Sequence, residues 1–502
     1  MRGHPLFEPL LPGYDMSVFH EWAVRLSGGA LSDGRAFYQA PLYPYLLGAL
    51  YALTGPNVLA AKLCQAVLGS ATVMLTYLLG CRLFSRRAGL IAAGLVAVTP
   101  IFPFYEIFLL RATLVTFLNV TFLLALYRFD PSQPLRTSAV AGAILGIGAL
   151  ARANMLALWP VAAAWVWLGS GNRRRGTLAA LALSLAGVIV ISPATLHNRL
   201  IGGKWALIST NFNENWKIGN SYDSSGGFGY PAKELVPVLS TDFVKLQVKK
   251  AKILLADYEQ PNNVNFYQLQ ADNPLLALGN VLSWGFYLAF GLAGIVLTRG
   301  RWRQLFPLYC YLLLYGGTLV LFFITSRLRV PLWPVLILFT AAGLDRAAEK
   351  WRLRKLLEPL LALALAAVLS TALILANPRT VQPHYWDNLA EIFERKGEWD
   401  QAVDVMQAKL RVHPADQAAL WKLAYYLQKQ ERWQESAALV EHLLVLVDYR
   451  SDILREAGLL DIRLGRSARG VERLRKYLAA SPAAPDSNRI ADLIIKYDSA
   501  KK

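Results

Sequence analysis

Residues 173–196, RRRGTLAALALSLAGVIVISPATL, set three consecutive arginines at the head of a long apolar run. A helix rises 1.5 Å per residue, so the stretch from Thr177 to Leu196 is long enough to cross the ~30 Å hydrocarbon core of a bilayer. Arginines are retained on the cytoplasmic face of a membrane. The stretch therefore specifies a transmembrane helix that starts inside and emerges at His197. Working outward from it, the same test finds candidate spans near residues 57–81, 88–105, 107–127, 137–151, 153–170, 177–196, 275–297, 305–325, 330–344 and 359–376. The run from Pro41 to Leu53 is shorter and reads as a juxtamembrane or re-entrant helix. Composition agrees: 502 residues, 55% hydrophobic, 17% charged, with mean hydropathy +0.34. That balance excludes a disordered chain and argues against a single soluble globule.

The formal net charge of +18 is a matter of orientation. One set of alternate loops carries Arg82, Arg86 and Arg87; Arg128 and Arg136; Arg173, Arg174 and Arg175; Arg299, Arg301 and Arg303; and Arg346, Lys350, Arg352, Arg354 and Lys355. Against these stand only Asp130, Asp345, Glu349 and Glu358. The opposite short connections hold Arg152, Arg327 and Arg329, with Glu106 as their one acid. The first set is thereby cytoplasmic, and nucleic acid is not needed to explain the basicity. On this topology the N-terminal segment through Pro56, the loop from His197 to Pro274 and everything after Ala376 lie outside. Residues 1–40 contain neither a signal peptide nor a span to carry them across. The expectation is a transmembrane helix encoded upstream of Met1.

After Pro378 the pattern changes to soluble amphipathic helices with a repeat of 34 residues. Ala390, Ala424 and Gly458 share one phase, Trp399 and Trp433 a second, and Pro414, Asp448 and Pro482 a third. That period is the signature of tetratricopeptide repeats, paired helices that stack into a solenoid with a concave face. Such a face can bind a peptide, an acceptor or a protein partner, or it can simply pack. The expected domains are residues 1–56, an external loop with juxtamembrane helices; 57–382, a transmembrane domain including the external loop 197–274; and 383–502, the repeats. The fold class is all-α.

Chemistry is sought on the external side. Cys64, Cys81 and Cys310 are widely spaced within apolar stretches, and the six histidines form no metal-binding pair, so neither a disulfide framework nor a zinc site is expected. Asp15, in PGYDMSVFHEW, precedes an amphipathic helix suited to the lipid surface and could be a helix N-cap. Glu106 and Arg111, in YEIFLLRA, stand at the head of a span. Ionisable groups at a membrane boundary are costly to desolvate and are functional candidates for that reason. Two acids on one side could provide a general base or hold a divalent cation. Arg327 and Arg329, in ITSRLRVPLWP, and Arg152, in LARANM, break the positive-inside pattern. They could snorkel to headgroups or clamp a phosphate. The external loop offers NFNENWKIGN, whose Asn211, Asn215, Lys217 and Asn220 could contact a sugar or an acceptor, or make ordinary turns.

These pieces in this order, GYD before an amphipathic helix, QAPLYPYLL, YEIFLLRATL, LARANMLALWP, NFNENWKIGN and SRLRVPLWPVLILFTAAGL, resemble the multispanning glycosyltransferases that use polyprenyl-phosphate-linked sugars. That group (GT-C superfamily, glycosyltransferase family 39) includes protein O-mannosyltransferases and the aminoarabinose transferase of lipid A. The resemblance covers roughly residues 10–345, and bacterial members with a tetratricopeptide tail are familiar. It implies that Asp15 is the catalytic carboxylate of the first external loop and Glu106 the acid of the second. Arg327 or Arg329, with Arg111 or Arg152, would bind the donor phosphate. Gln39 stands where several relatives have Glu or His, which puts the acceptor chemistry and any metal requirement in doubt. The implied partners are a polyprenyl-phosphate sugar donor, a protein, glycan or lipid acceptor, the bilayer, and a protein on the repeats. A divalent cation at Asp15 and Glu106 is the one cofactor to be considered. The implied location is the bacterial inner (plasma) membrane, with the site on its outer face. Two other classes compete: a ligase or polymerase of lipid-linked glycans, and a membrane scaffold that displays the solenoid.

Overall fold

The structure, a computed structural model, describes residues 14–229, 231–262, 265–352, 357–376, 384–446, 450–482 and 484–499. The expected boundary at 382–383, Arg354 and Lys355 of the cytoplasmic loops, and Asp448 of the repeat lie outside the described residues. Those described fall into two compact units, one ending at Ala376 and the other beginning at His384. Regular structure in both is helical; among the described residues extended backbone pairs only in an isolated bridge between Ser221 and Leu235.

The first unit opens with α1 (Asp15–Ser27), which buries Phe19, Ala23 and Leu26 against α2 (Leu42–Thr54). There follow α3 (Val58–Leu83), α4 (Arg86–Val98), α5 (Ile101–Glu106), α6 (Ala112–Tyr127), α7 (Pro134–Ala151), α8 (Trp159–Gly169) and α9 (Arg173–Leu200). The loop expected to be external then carries α10 (Phe212–Asn220), α11 (Thr241–Leu255) and α12 (Phe266–Asp272). The chain returns through α13 (Trp284–Leu297), α14 (Trp302–Leu321), the single turn α15 (Ser326–Arg329), α16 (Trp333–Arg352) and α17 (Leu357–Ala376).

Among the described residues six helical stretches are long and apolar enough to cross a bilayer: Val58–Leu83, Pro134–Ala151, Arg173–Leu200, Arg299–Leu321, Ser326–Arg352 and Leu357–Ala376. A seventh is formed if Pro274–Asn280 and Trp284–Leu297, bent by 46°, count as one span. The chain is thus an integral membrane protein. Leu181, Leu185 and Ile189 on α9 and Leu361, Leu365 and Val368 on α17 are exposed, as a lipid-facing surface requires. By contrast α16 buries every residue from Trp333 to Gly343 and forms the centre of the bundle. Small residues permit the tightest crossings: a Cβ on Gly142 of α7 would lie 2.0 Å from the Leu183 carbonyl oxygen of α9.

Three of the expected spans are organised differently. The run 88–105 divides at Thr99–Pro100, because Thr99 turns to extended backbone ahead of a proline that cannot continue the preceding helix. Residues 153–158 form a 3-10 stretch before the short α8, and α6 has 16 residues. These interruptions lie beside the external connections that carry Glu106, Arg111 and Arg152.

The second unit is a stack of antiparallel helices, α18 (His384–Lys396), α19 (Trp399–Val412), α20 (Gln417–Lys429), α21 (Trp433–Leu446), α22 (Ser451–Arg463), α23 (Ser467–Ala480) and α24 (Ser487–Ser499), each packed on the next. Ala390, Ala424 and Gly458, the repeat positions, are all buried. Between α21, α22 and α23 lies a charged network in which the buried Asp461 receives Arg469 at 2.6 Å and Arg473 at 2.8 Å, both of which also reach Glu441.

Candidate active site

Asp15 is the first residue of α1, and the N-cap is Tyr14, whose side chain makes no capping bond. The Asp15 carboxylate turns instead toward the far end of the membrane domain. Its Oδ1 accepts a hydrogen bond from Gln39 Nε2 at 2.9 Å, and its Oδ2 is ion-paired with Arg327 Nη1, 312 residues away in sequence. The pair is largely shielded, with side-chain exposures of 18% and 11%.

Two further arginines complete the site. Arg111 precedes α6, with its guanidinium 5.2 Å from the centre of the Phe19 ring of α1. The connection leading to it is tied to α2 and α3: Tyr43 Oη donates to Gln65 Oε1 at 3.0 Å, and Gln65 Nε2 donates to the carbonyls of Glu106 and Phe108 at 2.7 and 2.8 Å. Arg152 ends α7, where it is buried beside Tyr315 of α14. Arg111, Arg152 and Arg327 repel one another and are attracted to Asp15, so all four groups share one field. Arg327 Nε is buried with no hydrogen-bond partner among the described residues, and Arg152 is hydrogen-bonded to the Tyr315 side chain. Among the described residues three guanidinium groups share the field of one carboxylate, an excess of positive charge.

Burial alone would raise the Asp15 pKa, but Arg327 and Arg111, with the hydrogen bond from Gln39, hold the carboxyl well below the ordinary carboxylate range. Asp15 is therefore an anion locked to a cation, a poor proton acceptor until Arg327 is drawn away.

The remaining candidates separate. Arg329, expected beside Arg327 as a phosphate ligand, is committed elsewhere: Nη1 donates to the carbonyls of Leu254 and Ala256, at 3.2 and 2.9 Å, and Nη2 to Tyr258 O and Glu259 Oε1, at 2.8 and 2.6 Å. Its guanidinium also lies 4.4 Å from the ring centre of Trp284. Glu106 rests its carboxylate on α3, so close that a Cβ on Gly69 would meet Oε1 at 1.8 Å, and the leading charges that act on Asp15 are Arg327 and Arg111. A divalent cation shared by Asp15 and Glu106 does not fit this donor set, because the Asp15 oxygens face Gln39 and Arg327 and the surrounding field is cationic. Among the described residues no cluster of three or more His, Cys, Asp or Glu side chains could hold a metal.

In the external loop, Asn220 is wholly buried and structural: its Nδ2 donates to Trp216 O and Leu321 O, and its Oδ1 accepts from Gln247 and Lys250. Asn211, Asn215 and Lys217 lie on or at the start of α10, with Lys217 exposed. That helix approaches the site through Glu214, which accepts from the Tyr38 hydroxyl, one residue from Gln39. Two residues that motif reading passed over emerge here. Glu259 carries the Arg329 pair. Lys250, buried in α11, donates to Gly219 O, Asn220 Oδ1, Leu321 O and Phe322 O, so it gathers the ends of α10 and α14.

Residues 38–197 match the family model described as dolichyl-phosphate-mannose-protein mannosyltransferase, and residues 386–418 match a tetratricopeptide-repeat model. The resemblance drawn from the sequence and these matches agree. The first match includes Gln39, Glu106, Arg111 and Arg152, while Asp15 and Arg327 lie outside it. No curated protein sequence matches the chain. Among solved structures it is similar to ArnT from Cupriavidus metallidurans bound to undecaprenyl phosphate, at 14% identity over 94% of this chain and 73% of that one, with a TM-score of 0.45. It is also similar to the Archaeoglobus fulgidus oligosaccharyltransferase in the apo form, at 15% identity over 78% of this chain and 55% of that one, TM-score 0.44. The same archaeal protein in complex with an inhibitory peptide and a dolichol-phosphate gives 16%, 78%, 55% and 0.44. This chain thus spans little more than half the length of the archaeal protein.

Proposed function

We propose that this chain is a membrane glycosyltransferase that moves a sugar from a polyprenyl-phosphate donor to an acceptor hydroxyl at the outer face of the bacterial inner membrane. The observation that carries the reading is the charge imbalance of the buried site, three arginines around one carboxylate. The family match over residues 38–197 supplies the reaction class.

The chemistry follows from the charges. The donor's phosphodiester anion, entering beside Arg111, Arg152 and Arg327, offsets part of the excess positive charge and accepts hydrogen bonds from the guanidinium groups. Arg327 is then shared between phosphate and Asp15, the stabilisation of Asp15 as an anion weakens, and its carboxylate becomes a better base. The acceptor oxygen attacks the anomeric carbon as Asp15 takes its proton. The bond from that carbon to the phosphate oxygen breaks, and its electrons leave on the polyprenyl phosphate. The product is inverted, and the arginines stabilise the charge that develops on the leaving group. Arg329 has no place in this step. Asn211, Asn215 and Lys217 are assigned to the acceptor side, where α10 meets Tyr38. The repeats are assigned to the same external side as a surface for the acceptor or a protein partner.

The test is sugar transfer in membranes supplied with radiolabelled polyprenyl-phosphate sugars. Asp15→Asn and Arg327→Ala should each abolish it, and near-normal transfer by either removes that residue from the mechanism. A wild-type protein that transfers only from pyrophosphate-linked oligosaccharides would be a ligase instead.

A further inference from the structure

Arg327 sits in the first turn of the helical stretch Ser326–Arg352, where the leading N–H groups have no partner within the helix and must be met from outside it. The residues on either side are fixed by one carboxylate from the external loop. Glu259 Oε2 accepts from the Ser326 hydroxyl, and Glu259 Oε1 accepts from Arg329 Nη2 at 2.6 Å. The backbone repeats the attachment: Ser326 N donates to Gln260 O at 2.9 Å, and Ile324 N to Gly226 O at 2.9 Å. Glu259 is itself anchored, its N–H donating to the Tyr267 hydroxyl at 2.7 Å. Ser326, Arg329 and Glu259 are 2%, 1% and 6% exposed, so water does not compete for these bonds.

We infer that Glu259 is the positioning residue for Arg327: by holding Ser326 before it and Arg329 after it, this loop carboxylate aims the Arg327 guanidinium at Asp15 and at the donor phosphate. The inference rests on the donor reading above. Glu259 touches neither donor nor acceptor and acts through Arg327 alone. The external loop thereby takes part in the phosphate site through a carboxylate.

A misplacement of about 1 Å at a reacting group can cost ~100-fold in rate, and loss of a supporting shell typically costs ~10- to 100-fold. Glu259→Gln leaves Arg329 buried and uncompensated, so it is paired with Glu259→Gln/Arg329→Met, which removes both charges at similar volume. Full-length protein in lipid nanodiscs is assayed for thermal midpoint, for binding of farnesyl phosphate, and for transfer. The double variant should keep its midpoint within about 3 °C, bind farnesyl phosphate ~10-fold more weakly or worse, and lose kcat ~10- to 100-fold with the acceptor KM unchanged. Recovery of binding and turnover along with the midpoint would show a structural pair only, and overturns the proposal. Should the double variant not fold, Glu259→Asp decides, because its shorter carboxylate keeps the charge but cannot reach both partners; wild-type binding by that variant is equally fatal. Absence of farnesyl phosphate binding by the wild type refutes the donor reading itself. Binding that Arg327→Ala abolishes and the Glu259 variants leave intact refutes the latch alone.

Discussion

Replacing Asp15 with Asn should move donor binding and turnover in opposite directions. In the resting site Asp15 and the donor phosphate compete for Arg327. Two unit charges about 4 Å apart interact by ~4 kcal/mol at an effective dielectric near 20. Both side chains keep some exposure, 18% and 11%, so solvent screening reduces this, and roughly half is a reasonable share. Neutralising Asp15 therefore releases ~2 kcal/mol that phosphate no longer has to overcome, a roughly 30-fold lower Kd. The substitution also takes the cationic site from one compensating carboxylate to none, which favours an anion further. Asn cannot accept the acceptor proton, and loss of a general base costs ~10²- to 10⁴-fold in rate. Titration of the variant with farnesyl phosphate in nanodiscs, beside transfer of radiolabelled sugar under saturating donor, reads both. Weaker phosphate binding would mean that Asp15 supports the anion site instead of competing with it. Turnover within about threefold of wild type would end its role as base.

Other outcomes follow from the same geometry. Because the folded Asp15 pKa lies below its unfolded value of ~3.9, its stabilising contribution is fully present above ~3.9 and is lost only as pH falls through the lower folded value. Free protein should therefore show no Asp15-dependent loss of stability between pH 7 and ~4, and kcat, which reports the donor complex, should have its acid limb at higher pH than kcat/KM; coincident limbs would contradict the sharing of Arg327. Burial pushes the Lys250 amine down to about 8, so between pH ~8 and its unfolded ~10.4 the unfolded chain holds more protons and stability rises with pH. Raising pH from 7 to 9 should lift the thermal midpoint of the wild type, an increment that Lys250→Met should lack. In the repeats, Asp461→Asn removes the buried carboxylate from Arg469 and Arg473, which keep Glu441 and, for Arg469, water, and should cost about 1–3 kcal/mol. Trypsin should then cut residues 450–482 of the full chain much faster, while the membrane unit is cleaved at its usual rate.

The helices and the repeats were legible because each has a period of its own. Apolar length marks a span, and a 34-residue interval marks a helix pair, without knowledge of any neighbour. What escaped depends on contacts between distant segments. The break at Thr99–Pro100 lay within a run whose hydropathy is continuous, so composition joined what a proline divides. The exceptions to the positive-inside pattern were the informative clue, yet they could not be sorted. Arg327 and Arg329 stand two residues apart in the same external turn, equally anomalous by charge. Their difference lies in what consumes their N–H groups. Arg329 spends four on Leu254, Ala256, Tyr258 and Glu259, so its charge is answered within the fold. Arg327 shares one carboxylate with two other arginines. An unexpected external cation thus poses a question that sequence can raise and only tertiary structure can answer, whether its counter-charge is carried by the chain or arrives with the substrate. For Arg329 it is Glu259, which in the sequence was one acid among several in a long loop. For Arg327, Arg111 and Arg152 the described residues supply Asp15, and on the proposed mechanism the donor's phosphate brings further negative charge.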